Sequence, residues 1–599
     1  MQYREDIDGL RALSVLPVLF FHANVPFFQG GFLGVDVFFV ISGFLITSIV
    51  VSNLKSNSFS FSSFWDKRMR RIIPALFLVT LFTSILSLLL MLPNDLKSYG
   101  QSVVATMFSV NNILLYLTSG YWSHAADFKP LYHTWSLGVE EQFYLVMPFL
   151  IYFVYKSTKN IISLYVLFLV IFFCSVFFSL TIDSDEFVFL MIVTRAWELL
   201  AGAILALLLE RNQMHLKSSF HGVLSLLGLL LIVYSYVNPY WISDLQFLVS
   251  FPVVLGSLLV IMFSKEGTIA YKLLTRKYFV FIGTISYSVY LFHQPILAFF
   301  RLGFEATPHY TILLSVSLFS IPLGYLSYQY VERVFRDSGG IGNKLFYSLV
   351  SLMIFVFVCG GMVLHVTYGL EQYRSTLSYG GNPKVYVDRV YSFENIKSNY
   401  SENNLVFVGN SFARDLVNSY IEYNYSDTDY HEINNVSYFN GSCNEFIDLH
   451  FDKINNFQAV VVTSNWSRDV SSSDHVLDLK KCISVLKKHE PSLFIVGDKN
   501  FGWNNNFVVK YFLFSGSSDY SFFVDVKKSV LDFNLKLKDQ FPSYFVDPIA
   551  PILNKESKVP VFTEEGYFIT FDTDHLTPKG AEFVGEYVFT ETNLNTIIE

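Results

Sequence analysis

The chain's 599 residues are 52% hydrophobic and 18% aromatic, with a mean hydropathy of +0.40. A soluble protein of this length would average lower and divide into several domains. The net charge of −8 averages two very different regions and identifies no partner; nucleic acid is not expected as one, nor is a metal, since no metal-ligand spacing occurs. Residues 8–367 are nearly continuous apolar blocks of about 20, the length that spans a bilayer, whereas 368–599 alternate polar and apolar positions. The expected fold class is therefore a multi-spanning α-helical membrane domain of about eleven transmembrane helices, including a linking helix, followed by a soluble α/β domain.

The start, MQYREDIDGL, carries both charge signs and no small-x-small site follows the first apolar run, so that run is expected to stay as a signal anchor. Spans are predicted near 8–28, 32–52, 72–92, 137–155, 160–181, 187–209, 220–237, 246–264, 278–300, 310–331 and 346–367. The apolar stretch 101–120 also holds Gln101, Asn111 and Asn112. If it does not span, nearly all loop Lys and Arg fall on the cytoplasmic side, and only Lys97, Lys129 and Arg301 on the other. If it spans, that bias largely disappears. The positive-inside rule therefore makes it re-entrant or interfacial and puts the soluble domain outside the cytoplasm.

Charged and titratable groups inside lipid-length runs are expensive and rarely incidental. Arg11 and His22 in the first span are eleven residues apart, about three helical turns, so they share a face roughly 16 Å apart along the axis. Lys67-Arg68-Met69-Arg70-Arg71 sits just before the third span. It reads either as topology-setting positives or, through Arg68 and Arg71, as contacts for a donor's phosphates. Glu140 and Glu141 open the next span, where water-exposed first-turn carboxylates are the plain alternative. Nearby His133 is either part of an outer mouth or an interfacial side chain. Arg195 and Glu198, three apart, would form an intrahelical ion pair, and His293 lies within a span with its role open.

The stretch RALSVLPVLFFHANVPFFQGGFLGVDVFFVISGFLIT, the Arg68/Arg71 pair before Pro74, and WSLGVEEQFY at 135–144 together resemble the membrane-bound acyltransferase-3 proteins. The resemblance implies acyl transfer, usually of acetyl, across a membrane onto cell-surface carbohydrate. It implies acetyl-CoA as donor, with Arg11, Arg68 and Arg71 holding the cofactor, His22 as base or nucleophile, and Glu140 facing the catalytic interior.

After Gly369 a Ser/Asn/Tyr-rich extension leads to NLVFVGNSFARDLV, a strand, a turn and a helix start. FQAVVVTSNW and SLFIVGDKN read as further strands, and VLDLKKCISVLKKHE and VDVKKSVLDFNLKLKDQF as helices. This alternation gives an α/β fold with a mostly parallel sheet, functional residues being expected at the strands' C-terminal ends. Ser411 alone reads as a helix cap. With Asp572 and His575 three apart in one late loop, it can also be a nucleophile with base and orienting carboxylate. That order resembles the SGNH hydrolases and acyltransferases, which implies Ser411, His575 and Asp572 as a triad. Asn465 matches the oxyanion-hole asparagine and Gly441 the glycine. Two departures stand out: Gly409-Asn410-Ser411 replaces Gly-Asp-Ser, and Thr463 stands where a glycine is expected. Asp574 competes with Asp572 as orienter, although the spacing favours Asp572.

Cys174 and Cys359 are expected as small packing residues in spans; Cys443 and Cys482 lie where a disulfide is permitted. The expected domains are a transmembrane acyltransferase-3 domain over 1–335, a linking helix and extension over 336–404, and an extracytoplasmic SGNH domain over 405–599. The reading is a bacterial inner-membrane, multi-pass O-acetyltransferase with a periplasmic C-terminal domain. Its membrane part contacts lipid, and it moves acetyl from cytoplasmic acetyl-CoA to a surface polysaccharide such as lipopolysaccharide O-antigen. The alternatives are peptidoglycan O-acetylation, a transporter or sensor with a carbohydrate-binding α/β domain, and an esterase.

Overall fold

An apolar segment in lipid must satisfy its backbone N–H and C=O groups internally, and the helix is the simplest way to do so. The computed structural model follows that rule. It describes residues 3–118, 126–211, 218–240, 245–336, 341–371, 386, 389–393, 404–425, 433, 435–450, 457–466, 472–488, 492–515 and 520–597. Most of the predicted 369–404 extension lies outside them. Contacts divide the chain into two units, Met1–Met91 with Asp95–Arg301 and Pro308–Gly369, and Leu92–Asn94 with Leu302–Thr307 and Leu370–Glu599.

The first unit is helical. In order come α1 (Glu5–His22), α2 (Gly34–Lys55), α3 (Phe61–Leu90), α4 (Pro93–Met107), α5 (Asn111–Leu117) and α6 (Thr134–Thr158). Next are α7 (Ile161–Thr181), α8 (Asp185–Leu190), α9 (Ile192–Arg211), α10 (Ser218–Val237), α11 (Gln246–Phe263), α12 (Ile269–Leu274) and α13 (Lys277–Leu302). Last are α14 (Tyr310–Leu318), α15 (Ser320–Ser327), α16 (Arg333–Arg336) and the predicted linking helix α17 (Asn343–Val366), which belongs to this unit.

Nine segments among the described residues are long and apolar enough to cross a membrane. The other two predicted spans, α1 and α13, are helices as expected, but their polar side chains dilute their apolar character. Those side chains turn into protein: Asp6, Asp8, His293, Gln294 and Arg301 are all buried. The stretch 101–120 is not one helix. It breaks between α4 and α5, and Asn111 is fully buried, donating to the Leu131 carbonyl at 3.0 Å and to Thr134 Oγ1 at 2.8 Å.

Helix contacts here rest on small residues, as membrane packing requires. A Cβ on Gly43 of α2 would lie 1.8 Å from the Leu199 carbonyl oxygen, and one on Gly202 of α9 would lie 2.0 Å from that of Val40. Arg195 makes the predicted pair with Glu198, at 2.9 Å. It also binds Asp36 of α2, a partner that sequence spacing does not show. Cys174 and Cys359 are not packing residues: both are exposed on their helices.

The second unit carries the expected parallel sheet. Its strands are β1 (Asn404–Gly409), β2 (Val436–Asn440), β3 (Phe457–Thr463), β4 (Ser492–Val496), β5 (Phe523–Asp525), β6 (Phe545–Val546) and β7 (Lys558–Pro560). The main sheet has the order β2-β1-β3-β4-β6, all parallel, and β5 pairs antiparallel with β7. Both faces of β1 are buried, as parallel sheets require. Leu405 and Phe407 enter one apolar core and Val406 and Val408 the other. In the second core a disulfide joins Cys443 to Cys482, with Cα atoms 5.9 Å apart. The strand order reverses at β1, so the crevice beyond the C-terminal ends of β1 and β3 is where a parallel sheet offers a site.

Candidate functional site

Two groups of polar residues stand out, one in each unit. In the membrane unit a cavity of about 90 Å³ is lined by Arg11, Ser42, Arg68, Arg71, Glu140 and Tyr144, among others. The three predicted cofactor-binding arginines are thus brought together with Glu140. The basic cluster does not precede the third span. It lies inside α3, which starts earlier than expected, so helical spacing sorts its members. Arg68 and Arg71 face the cavity, Arg68 with its guanidinium 5.0 Å from the Tyr144 ring centroid. Arg70 is buried, pairing with Asp66 at 3.1 Å, donating to Asn343 Oδ1 at 2.8 Å and lying over the Phe346 ring. Arg11 is held by Asp8 at 2.6 Å, while Arg71 makes no side-chain hydrogen bond among the described residues.

Glu140 does not open its helix. α6 begins at Thr134, which puts Glu140 in the second turn and removes the first-turn dipole reading. Ser42 donates to its Oε1 at 2.8 Å and Tyr144 to its Oε2 at 3.3 Å. A carboxylate with lone pairs remaining therefore lines one pocket with three guanidinium groups. That arrangement suits a ligand with several anionic oxygens and one hydrogen-bond donor.

His22, at the far end of α1, does not line this cavity. Its ring centroid is 5.2 Å from that of His293, and His293 is 5.4 Å from His133. Tyr290 joins the two places, because it lines the cavity and its ring lies 5.1 Å from His293 and 5.4 Å from His133. Its hydroxyl lies 2.8 Å from that of Ser136. His133 is not an interfacial side chain. It is 2% exposed and packs against the rings of Tyr290 and His293. Arg301 is not a loop cation either, being fully buried and donating to the His22 carbonyl while pairing with Asp127 at 3.0 Å. Sequence reasoning did not find Tyr290 or Ser42; uncharged hydroxyls in apolar helices carry no spacing signal.

In the second unit the parallel register brings Gly409, Asn440, Thr463 and Val496 to one sheet edge. Ser411, Gly441 and Asn465 follow directly from these strands. Asn410, not Ser411, caps the helix α18 (Ser411–Asn424): its Oδ1 accepts the Phe412 N–H at 3.0 Å, and its Nδ2 donates to Ser464 at 2.8 Å. The Ser411 hydroxyl is thereby left for His575, whose Nε2 is 3.2 Å away. Nδ1 of His575 lies 2.7 Å from Asp572 Oδ2. Asp572 Oδ1 accepts the backbone N–H groups of Asp574 at 3.1 Å and His575 at 2.8 Å, so one carboxylate shapes the loop and orients the ring. Asp574 does not compete for the ring; it accepts from Asn500 at 2.7 Å.

Ser411, His575 and Asp572 thus lie in line, an arrangement that can serve as nucleophile, base and orienting carboxylate. Asn465 and Gly441 are partly accessible at the same edge. The Asn465 side chain makes no hydrogen bond among the described residues, whereas the Gly441 N–H is directed at the Gly409 carbonyl at 3.4 Å. Burial pushes the nearby Arg414 guanidinium below its ordinary value.

Residues 4–329 match the family model described as an acyltransferase domain. Over 358 residues the chain is 32% identical to the peptidoglycan O-acetyltransferase OatA of Listeria monocytogenes, a match covering 57% of this chain and 57% of that protein. It is 30% identical over 356 residues to the O-acetyltransferase OatA of Staphylococcus aureus, covering 56% of this chain and 58% of the relative. The chain thus spans a little over half the length of the curated relatives it matches. Among solved structures, the periplasmic domain of a lipopolysaccharide acetyltransferase of Salmonella ser. Paratyphi A aligns with 16% identity and a TM-score of 0.26. That alignment covers 39% of this chain and 97% of that domain.

Proposed function

Because the chain belongs to the acyltransferase-3 family, we propose that it is a membrane O-acetyltransferase that passes acetyl from acetyl-CoA to a hydroxyl of a surface carbohydrate polymer. The observation that carries the proposal is the Ser411–His575–Asp572 line in a chain whose other part matches an acyltransferase domain. The arginine-lined cavity supports the donor half. Arg11, Arg68 and Arg71 would bind the phosphates of coenzyme A, as guanidinium forks match phosphate oxygens. His22 would act as base or nucleophile at the thioester carbonyl, with CoA leaving as its thiol.

In the second unit His575 Nε2 takes the Ser411 proton as Oγ bonds the acyl carbon, Asn465 would donate to the oxyanion, and His575 returns the proton to the acyl carrier as it leaves and the serine ester forms. The Gly441 N–H is directed at the Gly409 carbonyl and is not free for this role. The acceptor sugar hydroxyl then attacks the serine ester, giving its proton to the neutral His575, which passes it to Ser411 Oγ as that oxygen departs. In this reading the protein sits in a bacterial inner membrane with the second unit in the periplasm. A transporter or sensor would leave the Ser411–His575–Asp572 line without a use. An esterase would do the same for the cavity arginines.

Two acceptors have support. Lipopolysaccharide O-antigen is the reading that follows from the sequence. Peptidoglycan has support at least as strong, since the Listeria relative carries that activity in its name. The test is ester-linked acetyl content, measured separately in purified peptidoglycan and surface polysaccharide from cells expressing wild type, His22→Ala or Ser411→Ala at matched levels. Loss from one polymer in both variants is expected and names the acceptor. Acetylation unchanged in His22→Ala removes the transfer role of the membrane unit; loss in His22→Ala alone removes that of Ser411.

A further inference from the structure

Lys499 follows β4 and is 6% exposed, yet it takes no part in the acyl chemistry described above. Its ammonium group makes three contacts, and all lead to the serine or the histidine. It pairs with Asp415 Oδ2 at 2.8 Å, donates to the Asp574 carbonyl at 2.6 Å, and lies 3.6 Å from the Phe412 ring centroid. Asp415 is 1% exposed, and the same Oδ2 accepts the Leu576 N–H at 3.2 Å. Asp574 and Leu576 flank His575 in the chain. Phe412 and Asp415 are one and four residues beyond Ser411 in α18, so both lie in its first turns.

We infer that the buried Asp415–Lys499 ion pair is a positioning device that fixes the base loop against the nucleophile helix and so sets the Ser411–His575 separation. The inference rests on Ser411 being the acyl-bearing residue. Burying a lysine and an aspartate carries a large desolvation cost, and an apolar pair of similar volume would serve stability as well or better. An apolar pair could not hold a carbonyl and an N–H on both sides of one histidine. The loop's own bonds, from Asp572 Oδ1 and from the Phe571 N–H to the His575 carbonyl at 2.8 Å, work against strain: Thr573, between Asp572 and Asp574, is at φ +79°, a conformation costly for a non-glycine residue. External clasps maintain it, and besides Lys499 these include the Phe501 N–H donating to the Thr573 carbonyl at 2.7 Å.

Removing one partner leaves a buried charge, so Lys499→Met alone is expected to fold poorly. The informative protein is the double variant Asp415→Asn/Lys499→Met. It has no unpaired charge, and its amide oxygen still accepts from Leu576, but the Asp574 carbonyl is released. Full-length protein purified in detergent is assayed with p-nitrophenyl acetate and with a serine-directed fluorophosphonate, well below each variant's thermal midpoint. A shift of the base by about 1 Å is enough to reduce kcat and the labelling rate by about a hundredfold. KM and the thermal midpoint are expected to stay near wild type, a combination that a purely structural role would not give. Labelling and kcat within about twofold of wild type overturn the inference. Wild-type turnover in Ser411→Ala instead overturns the reading on which it rests.

Discussion

Replacing Asp572 by asparagine tests the orienting role with almost no change in shape. Asp572 Oδ1 holds the backbone N–H groups of Asp574 and His575, and Oδ2 meets His575 Nδ1 at 2.7 Å. An amide can keep the first pair of bonds only by placing its oxygen there, which puts its NH₂ against Nδ1. Nδ1 must then accept, so the ring proton moves to Nε2, and the Ser411 hydroxyl 3.2 Å away faces a donor in place of a base. Loss of the correct tautomer in a Ser-His-Asp arrangement costs about 10⁴ in kcat. At about 1.36 kcal/mol per tenfold, that is about 5 kcal/mol of transition-state stabilisation. Stability should fall by only about 1 kcal/mol, because the loop-shaping acceptors remain and one charge-assisted bond becomes neutral. The assay is ester turnover and fluorophosphonate labelling of Asp572→Asn beside wild type, with thermal midpoints for both. Turnover within tenfold of wild type in a folded variant would refute the tautomer argument and remove His575 from the role of base.

Two further outcomes follow from local geometry. Arg68→Ala and Arg71→Ala should each weaken acetyl-CoA binding to the purified chain by about 10- to 100-fold, the loss of a charge-assisted contact worth about 1.5–3 kcal/mol. Arg70→Ala, which removes contacts to Asp66, Asn343 and Phe346, should lower thermal stability instead; calorimetric binding that ranks the three differently would contradict the sorting by helical face. Gly409→Ala puts a Cβ 1.7 Å from the Thr463 carbonyl oxygen at φ +146°, forcing β1 and β3 apart at the site's edge. It should cost about 1–3 kcal/mol and slow labelling of Ser411; an unchanged thermal midpoint would show that the strands tolerate the separation.

What could be read from the sequence followed from periodicity and order. Lipid-length apolar runs marked the helices, α1 and α13 included, and alternating strand and helix patterns marked the parallel sheet. Ser411, Asp572 and His575 were legible because a serine after a strand turn and an Asp-x-x-His loop retain their order in one dimension. Four strands were not: β6 has only two residues, β5 and β7 three each, with β5 overlapping the start of a stretch read as helix, and β2, VSYFN, is a short run that follows a long polar stretch. The capping role of Asn410 was hidden for a different reason. Asn and Ser are both good caps, and which one serves depends on a single turn's dihedrals. Partners far apart in sequence were least accessible. The Arg195–Glu198 pair is a spacing of three, whereas Asp36 and Arg195 are 159 residues apart, and the Asp415–Lys499 bridge joins a helix to a strand end 84 residues on.

The same distinction explains where the membrane unit keeps its polar groups. A charge facing lipid has no partner and carries the full penalty of transfer, so a sequence can hold intramembrane ions only if the fold supplies opposite charges or donors. Arg195 meets that condition with two carboxylates, and Arg70 with Asp66 and Asn343. Arg71 meets it less directly: it lines the cavity with Glu140, has Glu332 acting on it, and makes no hydrogen bond among the described residues. Stability gives no reason to keep such groups, since apolar side chains of similar volume would pack there without desolvating a polar atom. A site that binds an anion and moves a proton does give one, because its groups must stay available until the ligand arrives. The ground for proposing Arg11, Arg68 and Arg71 as a binding site and Arg70 as structure is therefore position: the first three line one cavity with Glu140, Arg11 despite its pairing with Asp8, whereas Arg70 is buried against Asp66, Asn343 and Phe346.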